Sequence, residues 1–359
     1  MHHSWTVMRP LFLAAVLLVA THADVSTQSP SQSRALPLIS RQSPRLVASV
    51  FLPRFARLGP PCDRCNEYET QASGRTAFQG PLTLSVVDAP GALNPGGVAL
   101  ISVTSTQELT DLSGEAAGRP VRFWRAASSR EWSGLVGINL DSTPGAVTLT
   151  IHGTSATGMT ATTRVPLTVA RYRFETRRLQ VDPKLVNPPE SELARIKEEA
   201  KAMADAFAIV TPQRYWHGRF DAPVPGTATS SFGRLTITNG KPAGRHQGAD
   251  FRAATGTPVK APNGGRVVIA RNLYFAGNTI IIDHGLGVFS LLAHLSRIDV
   301  APGATVARGD MVGESGATGR VTGPHLHWAV RFGEMTVDPI ALMSALARQS
   351  DEDVPPPSH

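Results

Sequence analysis

The chain has 359 residues, with 35 Lys and Arg against 28 Asp and Glu, for a net charge of +7 and an isoelectric point near 9.9. That length allows two or three domains, and a composition of 18% charged residues with 32 Gly and 28 Pro favours β structure and turns over long helices. The positive charge suits adsorption to a polyanionic surface such as a cell wall or envelope. Nucleic acid is the rival partner, but no basic run or nucleic-acid motif supports it.

Residues 1–23 have the form of a secretory signal. Arg9 precedes the apolar stretch 11–20, and Thr21-His-Ala23 fits a small-x-small cleavage site. The apolar stretch is short for a membrane span. Asp24 follows, where a bacterial lipid anchor would need cysteine. The expectation is an exported protein, periplasmic or extracellular, with no transmembrane segment after signal removal.

Residues 24–78, rich in Ser, Gln, Pro and Arg, read as a loosely ordered spacer with one apolar patch at 46–52. The spacer contains Cys62-Asp-Arg-Cys65, the only cysteines. In an exported chain a local disulfide is their first reading; two cysteines cannot complete a structural zinc site alone.

Across 79–171 short β signals recur at 82–87, 98–103, 121–124, 134–140, 146–151 and 162–169, with Pro-Gly and Asn-Pro-Gly-Gly turns between them. This spacing predicts an immunoglobulin-like β-sandwich. Its expected work is targeting, spacing or covering a cleft, or support alone. His152 stands isolated here and reads as an ordinary surface residue.

The connector 172–225 contains a predicted helix over 189–208. Leu193, Ile196, Ala200, Met203 and Phe207 recur every three or four residues on one face. Glu192, Arg195, Lys197, Glu198, Glu199 and Lys201 occupy the rest. Such a stripe predicts a helix packed on a domain, and Tyr215, Trp216 and Phe220 are expected to dock against the catalytic domain.

From 226 to 345 strands dominate, at 264–270, 278–283, 288–295, 310–313 and 325–332. They predict an antiparallel sheet curved into a partly open barrel, mainly β overall, followed by a disordered tail at 346–359. Three motifs in this region carry the chemistry: His246-Gln-Gly-Ala-Asp250, Leu292-Ala-His294-Leu295 and Pro324-His325-Leu326-His327-Trp328. His and Asp side chains are zinc ligands, and a catalytic zinc usually takes three of them. Positions i and i+2 of a strand share a face, so His325 and His327 could approach one ion together, or one could bind while the other catalyses. Asp283-His284-Gly285 and Gly277-Asn278 read as turns, with His284 structural. Ser290 and Thr318 read as satisfying strand or turn neighbours.

The three motifs resemble the lysostaphin-type, or LytM-like, zinc metallopeptidases, with their H-x-x-x-D, H-L and H-x-H pattern. The resemblance extends to Ser231-Phe232-Gly233-Arg234, Gly256-Thr-Pro-Val-Lys-Ala-Pro262, Ile282-Asp-His-Gly285, Gly316-Ala-Thr-Gly319 and Thr322-Gly-Pro-His325, in the same order. It implies one Zn2+ held by His246, Asp250 and His327, with His294 and His325 as catalytic imidazoles. It implies hydrolysis of peptidoglycan peptides, in the stem or the cross-bridge. Asn239 lies where the family often has a groove-shaping asparagine. Leu292 departs from the family's usual tyrosine, and strand alternation would put it on the face of His294. Some LytM-like domains have lost their ligands and act as binding modules that activate cell-wall amidases; the complete ligand set here favours an enzyme over that alternative.

Overall fold

The computed structural model describes residues 80–125, 130–180, 188–230 and 232–349, which fall in one compact unit. The expected signal segment, the spacer with Cys62 and Cys65, and most of the tail lie outside these residues. No helix among the described residues is long and apolar enough to cross a membrane.

The first sheet comprises β1 (Leu84–Val86), β2 (Ala92–Leu93), β3 (Val98–Ser105), β4 (Leu109–Ala116), β5 (Arg119–Arg125), β6 (Glu131–Gly137), β7 (Gly145–Ser155) and β8 (Thr160–Val169). Its strand order is β1-β3-β6-β5-β4-β7-β8-β2. β5 pairs with β4 over 119–122 and with β6 over 123–125, so one strand passes between the two halves. Ile101, Val136, Leu109, Leu149 and Ile151 fill the space enclosed. This is the expected β-sandwich, with the two-residue β2 and the longer β4 added. The longer strand escaped the pattern because a register shift between Leu109 and Asp111 breaks its alternation, leaving Leu109, Leu112 and Ala116 inward at uneven spacing.

β9 (Thr176–Leu179) and α1 (Glu190–Phe207) follow. The helix lies one residue inside each expected limit, with Pro189 and Ala208 as its caps, and its buried side differs from the predicted stripe. Leu193 is exposed, whereas Glu199 is buried with Ala206 and Phe207. Glu199 is tolerated inside because its carboxylate accepts hydrogen bonds from Arg195 Nε and from the Tyr274 backbone N–H, both at 2.7 Å.

The second sheet begins with β10 (Ala228–Ser230). Two strands, β11 (Leu235–Thr238) and β12 (Lys241–Arg245), leave it to form a small sheet with β9. It resumes with β13 (Ala249–Phe251), β14 (Pro258–Lys260), β15 (Gly265–Leu273), β16 (Gly277–Gly285) and β17 (Val288–Ile298). It ends with β18 (Thr305–Val306), β19 (Met311–Ser315), β20 (Leu326–Phe332) and β21 (Met335–Val337), after which comes α2 (Pro339–Leu346). The main path runs β10-β13-β20-β17-β16-β15-β18, curled into an open half-barrel as expected. The turns fall slightly off the predicted positions. Leu286 and Gly287, both with positive φ, make the tight link from β16 to β17, while Asp283 and His284 belong to β16 itself.

One face of this sheet carries the core. Phe251, Ile280, Ile282, Leu292, Leu326, Trp328 and Val330 are buried there with Trp216 and Phe220. The same cluster takes in Val98, Trp124 and Leu135 from the sandwich and Leu342 and Leu346 from α2, so a continuous apolar core joins the two sheets. The opposite face of the half-barrel carries the histidines of the three motifs.

Candidate metal centre

Strand pairing brings the distant motifs together. Asp250 on β13 lies directly across from His327 on β20, and His327 in turn lies across from Ala293 on β17. The flanking residues Ala249, Phe251, Leu326 and Trp328 face the core, so alternation sends Asp250 and His327 to the other side. His246 precedes β13, where its backbone N–H donates to Arg234 and its carbonyl accepts from Gly233.

The donor atoms converge. Asp250 Oδ1 is 3.0 Å from His246 Nε2 and 2.9 Å from His327 Nδ1, and those two nitrogens are 3.2 Å apart. Tetrahedral zinc with bonds of about 2.0–2.2 Å spaces its ligands about 3.3 Å apart. Two imidazoles and a carboxylate, all buried, therefore fit one ion in both chemistry and spacing. Burial by itself would raise the Asp250 carboxyl, but hydrogen bonds from His246 and His327 hold it well below the usual carboxylate range. Burial lowers the His327 ring, against the pull of Asp250, and so favours the neutral form that a metal ligand needs.

His294 and His325 flank this group. Their ring centroids are 4.9 Å apart, and His294 is 6.1 Å from the His327 ring. His325 Nδ1 is 2.9 Å from the Gly323 carbonyl and His294 Nδ1 is 3.0 Å from that of Thr318. A carbonyl only accepts, so each Nδ1 carries the proton. In the neutral rings each Nε2 then offers a lone pair, and both Nε2 atoms are buried with no hydrogen-bond partner among the described residues. His325 Nε2 lies 3.8 Å from Asp250 Oδ1. Burial, followed by the charges of His327 and His325, pushes the His294 ring down to about 3, so it is neutral at neutral pH.

His294 reaches this face through a bulge. Residues 278 to 280 of β16 oppose residues 295 to 292 of β17, so β17 has one extra residue here. His294 absorbs it with φ +66°. Leu292 and Leu295 consequently both point into the core, while Ala293 and His294 lie toward the site. The expectation that Leu292 shares the face of His294 is therefore corrected.

The other flagged residues sit elsewhere. His284 is fully buried on the core side, bonded to the Gly264 carbonyl at 2.7 Å and to Ser290 Oγ at 2.9 Å; Ser290 also accepts from Trp328 Nε1. Burial pushes His284 down to about 4. Asn239 opens the turn between β11 and β12 with φ +50°. His152 is on the sandwich surface, 2.9 Å from Thr162 Oγ1.

Sequence reading missed the backbone parts of the site. The Thr318 and Gly323 carbonyls orient the two histidines, and only the glycines around them hinted at a shaped loop. Gly319, at φ +77°, packs so tightly on the β15–β16 turn that a Cβ would sit 2.3 Å from Gly277 N. Gly248 lies against His327, where a Cβ would sit 2.7 Å from Cε1.

Residues 244–339 match the family model described as Peptidase family M23. The crystal structure of a Pseudomonas aeruginosa protein assigned to peptidase M23 is 32% identical, covers 70% of this chain and 94% of its own, and superposes with a TM-score of 0.53. The chain belongs to peptidase family M23. Among curated M23-region matches, the Vibrio cholerae peptidoglycan DD-endopeptidase ShyA is 49% identical over 83 residues, which are 23% of this chain and 19% of ShyA. The Neisseria gonorrhoeae DD-carboxypeptidase/endopeptidase Mpg is 40% identical over 97 residues, 27% of this chain and 22% of Mpg. The chain thus matches only about a fifth of the length of these curated relatives.

Proposed function

We propose that this M23 protein is an exported zinc metalloendopeptidase that hydrolyses peptide bonds in bacterial peptidoglycan, in the stem peptide or the cross-bridge. The observation that carries the reading is the triad of donor atoms at 2.9–3.2 Å, flanked by two imidazoles whose Nε2 atoms are bare and buried. In this reading His246, Asp250 and His327 hold one Zn2+, and His294 and His325 are the catalytic residues. Export is supported by the pattern of residues 1–23 and by the named activities of the curated relatives.

When bound, zinc supplies Lewis acidity and brings the pKa of water from 15.7 toward about 7. The protein's own groups handle the protons. A neutral imidazole with a bare Nε2 accepts the proton of the attacking water as oxygen bonds to the peptide carbon. The same proton then passes to the departing nitrogen as the C–N bond breaks, leaving a carboxylic acid and an amine. The second imidazole must first take up a proton from solvent at Nε2 before it can donate to the carbonyl oxygen while that oxygen carries negative charge. Thr318 and Gly323 keep both rings turned for these transfers through their bonds to Nδ1.

The experiment is metal analysis of the purified protein together with digestion of purified peptidoglycan and mass analysis of the fragments. Stoichiometric zinc and new amine and carboxyl ends at peptide bonds are expected. A protein that holds no zinc and releases nothing alone, yet stimulates an amidase, would replace this reading with that of an activator.

A further inference from the structure

The sheet face that bears the metal ligands does not end at them. Alternation along β20 puts Ala329 and Arg331 on the same face as His327, and Leu291 and Ala293 lie there on β17. α1 crosses this part of the sheet, outside the region 244–339 that matches the family model. Helix and sheet enclose a cavity of about 250 Å³ whose wall includes His327 itself. Its lining is mostly apolar: Ile196, Ala200 and Met203 from the helix, and Leu273, Phe275 and Leu291 from the sheet.

The helix is a fixed wall. Glu199 ties it to the β15–β16 turn through Tyr274 N–H, and Arg195 Nη2 reaches Asn272 Oδ1 at 2.9 Å. Phe207 packs edge-on against Phe289 at 5.5 Å, and the Arg331 guanidinium lies 4.7 Å from the Phe207 ring. Arg331 is further engaged by the Gly333 and Glu334 carbonyls. An apolar chamber that shares a wall with a metal ligand is placed to receive a substrate side chain while the backbone lies at the metal.

We infer that this cavity is a specificity subsite that takes the long aliphatic side chain of a diamino acid in the peptide substrate, and that Ala200 and Met203 of α1 set its depth. The inference rests on the peptidoglycan reading above. Among peptidoglycan side chains the diamino acid alone offers several consecutive methylenes, which match the apolar walls. The apolar walls carry the selection, since the two acidic lining residues are already paired, Glu199 with Arg195 and Glu334 with Arg119.

The test uses the full zinc-loaded protein and calorimetric binding, so that it does not depend on turnover. The probes are two synthetic stem tetrapeptides, one with lysine at the diamino-acid position and one with alanine there. Each extra methylene in an apolar pocket is worth about tenfold or somewhat more, so the lysine peptide should bind at least about tenfold tighter. Ala200→Trp, which fills the cavity, should abolish that preference with zinc content unchanged. Lys201→Trp, on the exposed side of the helix, should leave it intact. If Ala200→Trp fails to fold, Met203→Trp offers a second route to a filled cavity. Equal binding of the two peptides by the unaltered protein, or a preference that survives filling, overturns the inference. Failure to release fragments from peptidoglycan would count against the proposed function, whereas the binding preference reports on the cavity alone.

Discussion

His294 and His325 present their rings to each other at 4.9 Å, each with Nδ1 bound to a backbone carbonyl and Nε2 buried without a hydrogen-bond partner among the described residues. A buried nitrogen left unmatched is costly to folding, and two side by side are what the proposed catalytic role calls for. Replacing either residue with alanine should lower kcat by about 10²–10⁴-fold while zinc stays stoichiometric. Full turnover in either variant, measured on isolated muropeptides, would remove that residue from the mechanism.

The ligand triad should behave differently. His246→Ala, Asp250→Ala and His327→Ala each take away one of the three proposed ligands and would leave too few for a tight site. Metal content and activity should fall together, and added zinc should restore little. A variant that keeps one zinc per chain by elemental analysis would show that its residue is not a ligand.

Gly319 offers a test of the loop that orients His294. Alanine there must adopt φ +77° and put its Cβ 2.3 Å from Gly277 N and 2.6 Å from Phe275 O. The neighbouring Thr318 carbonyl should shift, and a misplacement of about 1 Å can cost about 10²-fold in rate. Gly319→Ala should therefore lose at least about tenfold in kcat with zinc retained. Unchanged kinetics would show that this loop does not control the imidazole.

His284 gives a pH prediction for stability. Its folded pKa is depressed to about 4, against 6.5 for the free side chain. Between those values the unfolded chain binds a proton that the folded chain excludes, so stability falls as pH drops from 6.5 toward 4 and is fully present above 6.5. At 1.36 kcal/mol per pH unit this amounts to about 3 kcal/mol. Denaturant unfolding at several pH values should show the loss, and NMR should find this ring still neutral at pH 5. A ring that titrates near 6.5 would refute the prediction.

A fragment of residues 226–345 should fold poorly. It lacks Trp216, Phe220 and Val224 from the main core, Ala206 and Phe207 from the helix, and the sandwich side chains that cover α2. Removing one large core aromatic alone costs about 3–5 kcal/mol. Circular dichroism melts of this fragment against residues 80–349 would decide; equal midpoints would show that the M23 region stands alone.

Much of this was legible in the amino-acid order. Alternation located the central strands of both sheets, and the three histidine motifs named the residues that converge. Legibility failed where a local irregularity carries the information. The bulge at His294 reversed the expected facing of Leu292, the shift near Leu109 concealed β4, and Glu199 looked like a solvent residue because its partner is a backbone N–H 75 positions away. The carbonyls of Thr318 and Gly323 have no side-chain signature at all.

The extra residue in β17 also limits how this protein can change. Deleting one position between Leu292 and Leu295 would restore regular pleating with both leucines still in the core, but only one of Ala293 and His294 could then face the site. Drift along this strand is therefore confined to exchange of one side chain for another. Change of length is left to the turns at either end, where a residue can come or go without taking one from the site.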